Sequence, residues 1–393
     1  MGPYHLARIT EAASSFPRKV TVVELSETTS KYAWDRVESQ SFLQRVTVTK
    51  QDSDLRSTDF CRKLRGTLDD LDPEVVFIPG WSGEHAVESM KWCLARKIPA
   101  IVYSESSRRD AKRRWAGEFL KARIVRCFSA GLVGGSRHRD YLVDLGIPAE
   151  STEFGYDATD NLYFESKSNE ARETSNRTVG QLELPRHYFL ASARFIPKKN
   201  LINLLEAFAK FLKTTQSNQH LILLGDGLGR EELTARTDLL GISNVVLMPG
   251  FRQYDELPIY YAHATAFIHA SSVEQWGLVV NEAMACGLPV LVSQACGCVP
   301  ELVHEGVNGF TFLPGDVDGL AELLGKLACD RLACQEMGKQ SKRIVSDWGL
   351  QRFAKGFWDA VHTAENGAPK RISYFDQFFL SFAGWASRFS NVQ

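Results

Sequence analysis

Short apolar runs and longer amphipathic ones alternate along this chain. The runs "KVTVVEL" (19–25), "EVVFIPG" (74–80), "IPAIVYS" (98–104) and "AGLVGGS" (130–136) are rich in β-branched residues and only long enough for strands. Helical stretches such as "EHAVESMKWCLARK" separate them. This alternation predicts a parallel sheet with crossover helices. It lapses over 165–181, "ESKSNEARETSNRTVGQ", a polar segment without apolar period that reads as a linker. The pattern resumes with "RHYFLAS" and then "NLINLLEAFAKFLK", where Leu201, Leu204, Leu205, Phe208 and Leu212 mark one helical face behind Asn200 as N-cap. "HLILLGDG", "NVVLMPG", "ATAFIHAS" and "LPVLVSQ" complete a second set of strands. The chain therefore reads as two successive doubly wound α/β halves, 1–183 and 184–349, with helices over 350–393 expected to return to the first half. In that tail Phe375, Phe378, Phe379, Phe382 and Phe389 fall at helical spacing and predict an amphipathic helix packed on a domain.

Composition narrows the function classes. The 393 residues are 44% hydrophobic and 24% charged, with 46 Lys and Arg against 47 Asp and Glu. A net charge of −1 gives the whole chain no field for nucleic acid or an acidic polymer, so any basic surface is local. Eight cysteines in this length are too dilute for a disulfide scaffold, and neither Cys296/Cys298 nor Cys329/Cys334 has zinc-site spacing. They read as reduced thiols. No apolar run approaches the roughly 18 residues needed to span a bilayer, and the start lacks the order of a signal peptide. The expectation is a cytoplasmic protein.

Candidate chemistry concentrates in "SSVEQWGLVVNEAMACGLPV". Glu274 and Glu282 on one straight helix would lie about 80° and about 12 Å apart, unable to share a small ligand closely. Gly277 interrupts, and "LVVNEAMACG" reads as a helix closed by Gly287 and Pro289, which leaves Glu274 in the loop and Glu282 inside the helix. The amides of Gly277, Leu278 and Val279 would then project from the helix N-terminus, a ready anion site. A carboxylate in the loop, a phosphate on the amides and a deeper carboxylate suit a sugar, its diphosphate and a ribose. In "SARFIPKKNL", Arg194 follows a strand directly and Lys199 opens the next helix, so both project from a carboxyl end where they would neutralise a diphosphate. A solvated loop is the alternative for these cations.

The segments "ARFIPKKNL", "LLGDG", "LMPGF", "EQWGLVVNEAMACGLPVLVS" and "VPELVHEGVNGFTFLPGD" resemble, in order, the signatures of retaining glycosyltransferases of family 4. The resemblance implies the GT-B architecture: α/β, with two facing Rossmann-like doubly wound parallel-sheet domains and a cleft between them. It implies that Glu274 contacts the donor hexose near the reacting centre and Glu282 the ribose hydroxyls. Arg194 and Lys199 would hold the diphosphate, and the amides of Gly277, Leu278 and Val279 would bind donor oxygens. The substrates would be a nucleotide sugar and a hydroxyl-bearing acceptor, with no metal and no other cofactor required. Trp276 and Gln275 stand where the family often has Phe and Pro.

The first half departs more from the family. Where members often place a His or Asp after a central strand, "AIVYSES" offers Ser104 and Glu105; Glu105 is the acceptor-side candidate, Ser104 stands beside it, and His85 in "GWSGEH" is the alternative. In "RRDAKRRWAGEFLKARIVR" (108–126) eight Lys and Arg face only Asp110 and Glu118, with Trp115 and Phe119 interleaved. That stretch is either a solvated helix face or an interfacial helix that attracts an anionic acceptor or anionic lipid, the last of which would make the protein peripheral at a membrane. The opening "GPYHLARITEAAS" resembles the family's first loop and helix without the strand before them, through a truncated or mis-assigned start at Met1 or a sheet that closes without it. Two rivals remain. A nicotinamide-dependent oxidoreductase fails because Gly225, Gly227 and Gly229 give G-x-G-x-G and no acidic residue ends "NVVLM". A non-catalytic GT-B-like binding or scaffold subunit is the other.

Overall fold

The computed structural model describes residues 1–27, 43–51, 58–174, 182–367 and 380. The chain divides into two compact units, Met1–Ala158 with Leu350–Gln393, and Thr159–Gly349.

In the first unit the strands are β1 (Thr21–Ser26), β2 (Gln44–Thr49), β3 (Val76–Pro79), β4 (Ala100–Ser104), β5 (Ala130–Val133) and β6 (Thr152–Phe154). They form two parallel sheets, β1–β2 and β3-β4-β5-β6. The chain enters through a helix, Pro3–Ser15, with Pro3 at the first turn where its missing N–H costs nothing. Among the described residues no strand joins the edges of β1 and β3. Helix Leu350–Asn366 buries Phe353, Phe357, Trp358 and Val361 against helix Pro3–Ser15 and strands β4, β5 and β6. The aromatic stripe of 375–389 lies outside the described residues.

The second unit holds β7 (Tyr188–Ser192), β8 (His220–Leu224), β9 (Val246–Gly250), β10 (Ala266–His269), β11 (Val290–Ser293) and β12 (Gly309–Phe312). All are parallel, in the order β12-β11-β10-β7-β8-β9. Strand order thus reverses between β7 and β10, the switch point where the carboxyl ends of a doubly wound sheet open a crevice. The loops carrying the candidate donor residues follow these two strands. The core is aromatic and aliphatic, with Phe189, Phe208, Phe211, Leu221 and Ile268 fully buried.

Two sequence expectations change here. The presumed linker begins inside a helix, Asn161–Glu173, which packs on helices Leu257–His263 and Leu278–Ala285. Its buried positions are Phe164, Ser168 and Ala171, a helical stripe too small and polar to register as apolar period. The division accordingly falls at Ala158/Thr159 rather than at 183/184. Thr159 and Gly349 form a parallel bridge, and the Asn161 amide donates to the Val345 carbonyl at 2.7 Å.

Candidate active site

Three loops of the second unit meet at the switch point. Ala193–Asn200 follows β7, Ala270–Gly277 follows β10, and Gln294–Cys298 follows β11. Backbone bonds fix them to one another: Ser272 N–H to the Lys198 carbonyl at 2.8 Å, Gly297 N–H to that of Glu274 at 3.1 Å, and Cys298 N–H to that of Trp276 at 3.3 Å. Asn200 does precede helix Leu201–Thr215, but its side chain makes no cap. Its amide instead donates to the carbonyls of Ala270 and Pro314, tying the two switch-point loops together. The Gly225 turn closes over the first loop, and a Cβ there would meet the Ala193 carbonyl oxygen at 1.9 Å.

Glu274 is the hub of the arrangement. Its Oε2 pairs with the Lys199 ammonium, accepts from the Ser271 hydroxyl at 3.1 Å and lies 3.0 Å from His269 Nε2. A carboxylate only accepts, so the His269 tautomer carries its proton on Nε2. The side chains of Glu274 and Lys199 are 10% and 11% exposed, and His269 is buried. Burial, opposed by Glu274 and reinforced by Lys199, lowers the His269 pKa and keeps the ring neutral. Burial alone would raise the Glu274 carboxyl, but the His269 hydrogen bond and the Lys199 charge outweigh it and hold the group well below the usual carboxylate range. Ser271 and His269 supply two of the three donors on Glu274, and the sequence reading missed both. A histidine ending the apolar strand "ATAFIHAS" reads as core.

Gly277 has φ +104°, a left-handed conformation that favours glycine. A Cβ there would sit 3.1 Å from His269 Nε2 and 3.6 Å from the Glu274 Cγ. Gly277 thus opens helix Leu278–Ala285 and leaves room for the carboxylate at once. Gly277, Leu278 and Val279 are half-exposed at that N-terminus, so their amides are within reach of an anion. Trp276 is buried, its indole N–H donating to Asn281 at 2.9 Å and its ring 5.3 Å from Trp348. Arg194 is exposed on the loop after β7. Glu282 is fully enclosed, and one oxygen accepts from the Tyr261 hydroxyl at 2.8 Å.

The first-half candidates belong to the other unit. Ser104 ends β4, is 7% exposed and accepts from the Ser106 N–H, a turn-forming contact. Half-exposed Glu105 follows it. Burial, set against Arg8 and reinforced by the Glu105 charge, pushes the Tyr103 phenol up to about 12. Tyr103 stacks on Tyr156 at 5.0 Å, and Arg8, 2% exposed, donates to the Tyr156 carbonyl at 2.6 Å. Sequence gave no sign of Arg8, which sits on the apolar-patterned first helix. His85 lies in the first turn of helix Glu84–Arg96, its ring so close to Gly83 that a Cβ there would meet it at 2.3 Å.

Comparison with known proteins identifies the fold and the segment that carries these residues. The structure of Anabaena HepE with UDP and glucose superposes with a TM-score of 0.71 at 19% identity, over 91% of this chain and 95% of that one. Sucrose-phosphate synthase from Thermosynechococcus elongatus superposes equally well, TM-score 0.71 at 18% identity, over 90% and 91%. The fold is GT-B. Within it, residues 173–344 match the family described as glycosyl transferases group 1, and this segment carries every donor-side candidate. Sulfoquinovosyl transferase SQD2 of Arabidopsis thaliana is 35% identical over 133 residues, 33% of this chain and 25% of that protein. Alpha-monoglucosyldiacylglycerol synthase of Acholeplasma laidlawii is 33% identical over 120 residues, 30% of each. The chain spans about a quarter to a half of the length of the curated relatives it matches.

Proposed function

We propose that this GT-B chain is a retaining glycosyltransferase that moves a hexosyl group from a nucleoside-diphosphate sugar to a hydroxyl acceptor. The observation that carries the reading is the meeting, at one switch point, of Lys199, the carboxylate of Glu274 and the open N-terminus of helix Leu278–Ala285. A cation and a set of amides suit a diphosphate, and a locked carboxylate beside them suits sugar hydroxyls. The matched family segment and the UDP named for HepE support the same donor class.

In this reading Arg194, Lys199 and the amides of Gly277, Leu278 and Val279 bind the diphosphate and stabilise the charge that grows on it as the bond to the sugar breaks. Arrival of the diphosphate draws Lys199 away from Glu274, whose oxygens stay oriented by His269 and Ser271 toward the hexose. The bond from the anomeric carbon to the phosphate oxygen breaks and the acceptor oxygen bonds to the same face. The acceptor proton passes to the departing phosphate, which becomes the free nucleoside diphosphate. Glu282 is the candidate for the ribose hydroxyls, which requires its enclosed side chain to become accessible when the donor binds. Glu105, with Ser104 and His85 as the other candidates, serves the acceptor. The positive charge comes from side chains and amides, so the scheme calls for no metal.

The test is thermal stability with UDP, GDP, ADP and their sugars, followed by turnover assays. A ligand binding only the folded state stabilises it, by about 2.7 kcal/mol at a hundredfold excess over Kd. A shift for one base that disappears in Glu282→Ala, with turnover lost in Glu274→Ala, is the expected result. A cooperatively unfolding protein with no shift would favour the binding or scaffold reading.

A further inference from the structure

The transfer scheme proposed above assigns no role to one surface of the first unit. Arg109, Lys112, Arg114, Trp115 and Phe119 are all exposed, Trp115 at 84% and Phe119 at 46%. Trp115 and Phe119 stand one turn apart on helix Trp115–Val125, and the Arg123 guanidinium lies 5.1 Å from the Phe119 ring, so the three share one face. The acids of this stretch are turned to internal partners. Asp110 pairs with Arg113 and accepts from the Ser107 N–H, while Glu118 pairs with Lys121 and accepts from the Tyr141 hydroxyl at 2.8 Å. Arg108 is matched by Asp144. Among the described residues no carboxylate comes within ion-pair distance of Arg109, Lys112 or Arg114. Three uncompensated cations therefore lie just ahead of two exposed aromatic rings in the sequence, on a chain whose net charge is −1.

We propose that this face docks on an anionic lipid bilayer, with Trp115 and Phe119 at headgroup depth and Arg109, Lys112 and Arg114 against the lipid phosphates. The Trp115 indole, an apolar ring with a polar N–H, belongs at that depth, Phe119 adds apolar area beside it, and clustered cations near an anionic leaflet add to the attraction. A nucleic acid suits the face less well. Its backbone asks for a stripe of cations along a path, whereas here two large apolar rings stand exposed and would gain nothing from phosphates. The inference rests on the first unit alone and stands whether or not the second transfers sugar.

The experiment is vesicle flotation of the full chain. Phosphatidylcholine vesicles containing phosphatidylglycerol should carry it and phosphatidylcholine vesicles should not, with binding weakened by salt. Lys112→Glu with Arg114→Glu should lower partitioning by about tenfold or more at an unchanged Tm. Brominated acyl chains should quench tryptophan fluorescence in the wild type and far less in Trp115→Phe. Failure of the wild type to float with anionic vesicles overturns the proposal. So does equal flotation with neutral vesicles, or full binding by the doubly reversed variant. Retention on heparin or duplex DNA without flotation would assign the face to a polyanion and also overturn it.

Discussion

Glu274→Ala tests the hub of the second unit. Truncation removes the acceptor shared by Lys199, Ser271 and His269 and strands an ammonium that is only 11% exposed. Breaking a buried pair on one side costs about 3–5 kcal/mol, but the flexible lysine stem lets its head turn toward water, so about 3 kcal/mol is expected. For a unit the size of Thr159–Gly349 this lowers Tm by about 6–12 °C. Removing the stranded charge as well, in Glu274→Ala/Lys199→Met, should recover about 1 kcal/mol or more. Glu274→Gln keeps an acceptor for His269 and should lose about half as much as the alanine variant. The pH dependence has a definite sign. The folded-state carboxyl is held below its unfolded value, so its contribution is complete above about pH 4.3 and fades as pH falls through the lower folded value. The gap between wild type and Glu274→Gln should therefore be flat around neutrality and close in acid. Calorimetry or fluorescence-monitored melting reads all four quantities. A change below about 1 °C for Glu274→Ala, no recovery in the double variant, or a gap that widens in acid would refute the reasoning.

Gly277→Ala forces a left-handed residue against His269 and should cost about 2 kcal/mol, abolishing any nucleotide-induced shift in Tm; an unaltered shift would remove Gly277 from the anion site. Trp276→Phe takes the indole N–H from buried Asn281, whose amide nitrogen already has no partner, and should cost about 1–2 kcal/mol. Asn281→Leu in that background should restore part of it, which melting of the double variant checks. Seven of the eight thiols are buried and only Cys329 is exposed, so native titration with a disulfide reagent should show one fast equivalent. Two or more would contradict the packing around Cys296 and Cys298.

What was legible in the sequence followed from period and punctuation. The β-branched runs became strands, and Gly277 does separate a loop carboxylate from a helical one. The polar helix Asn161–Glu173 was not legible, because its buried stripe contains Ser168 and Ala171 and its partners are distant in sequence. His269 was hidden for a related reason. Its role depends on a carboxylate five residues ahead turning back toward it, and the left-handed Gly277 leaves room for the two side chains to meet. The depth of Glu282 likewise depends on Tyr261, contributed by another helix. In 108–126 the composition was plain, but which cations were already matched was not.

The bridge between Thr159 and Gly349 means that the chain enters and leaves the second unit at one spot. In topological terms that unit is an insertion, and the unit that hosts it is discontinuous. During synthesis the inserted unit is complete once Gly349 has emerged, whereas the host must wait for Leu350–Asn366 before helix Pro3–Ser15 can bury its apolar face. The helix made before the inserted unit is therefore finished after it. The same geometry makes 159–349 a cassette, whose exchange between relatives would leave both pieces of the host free to rejoin.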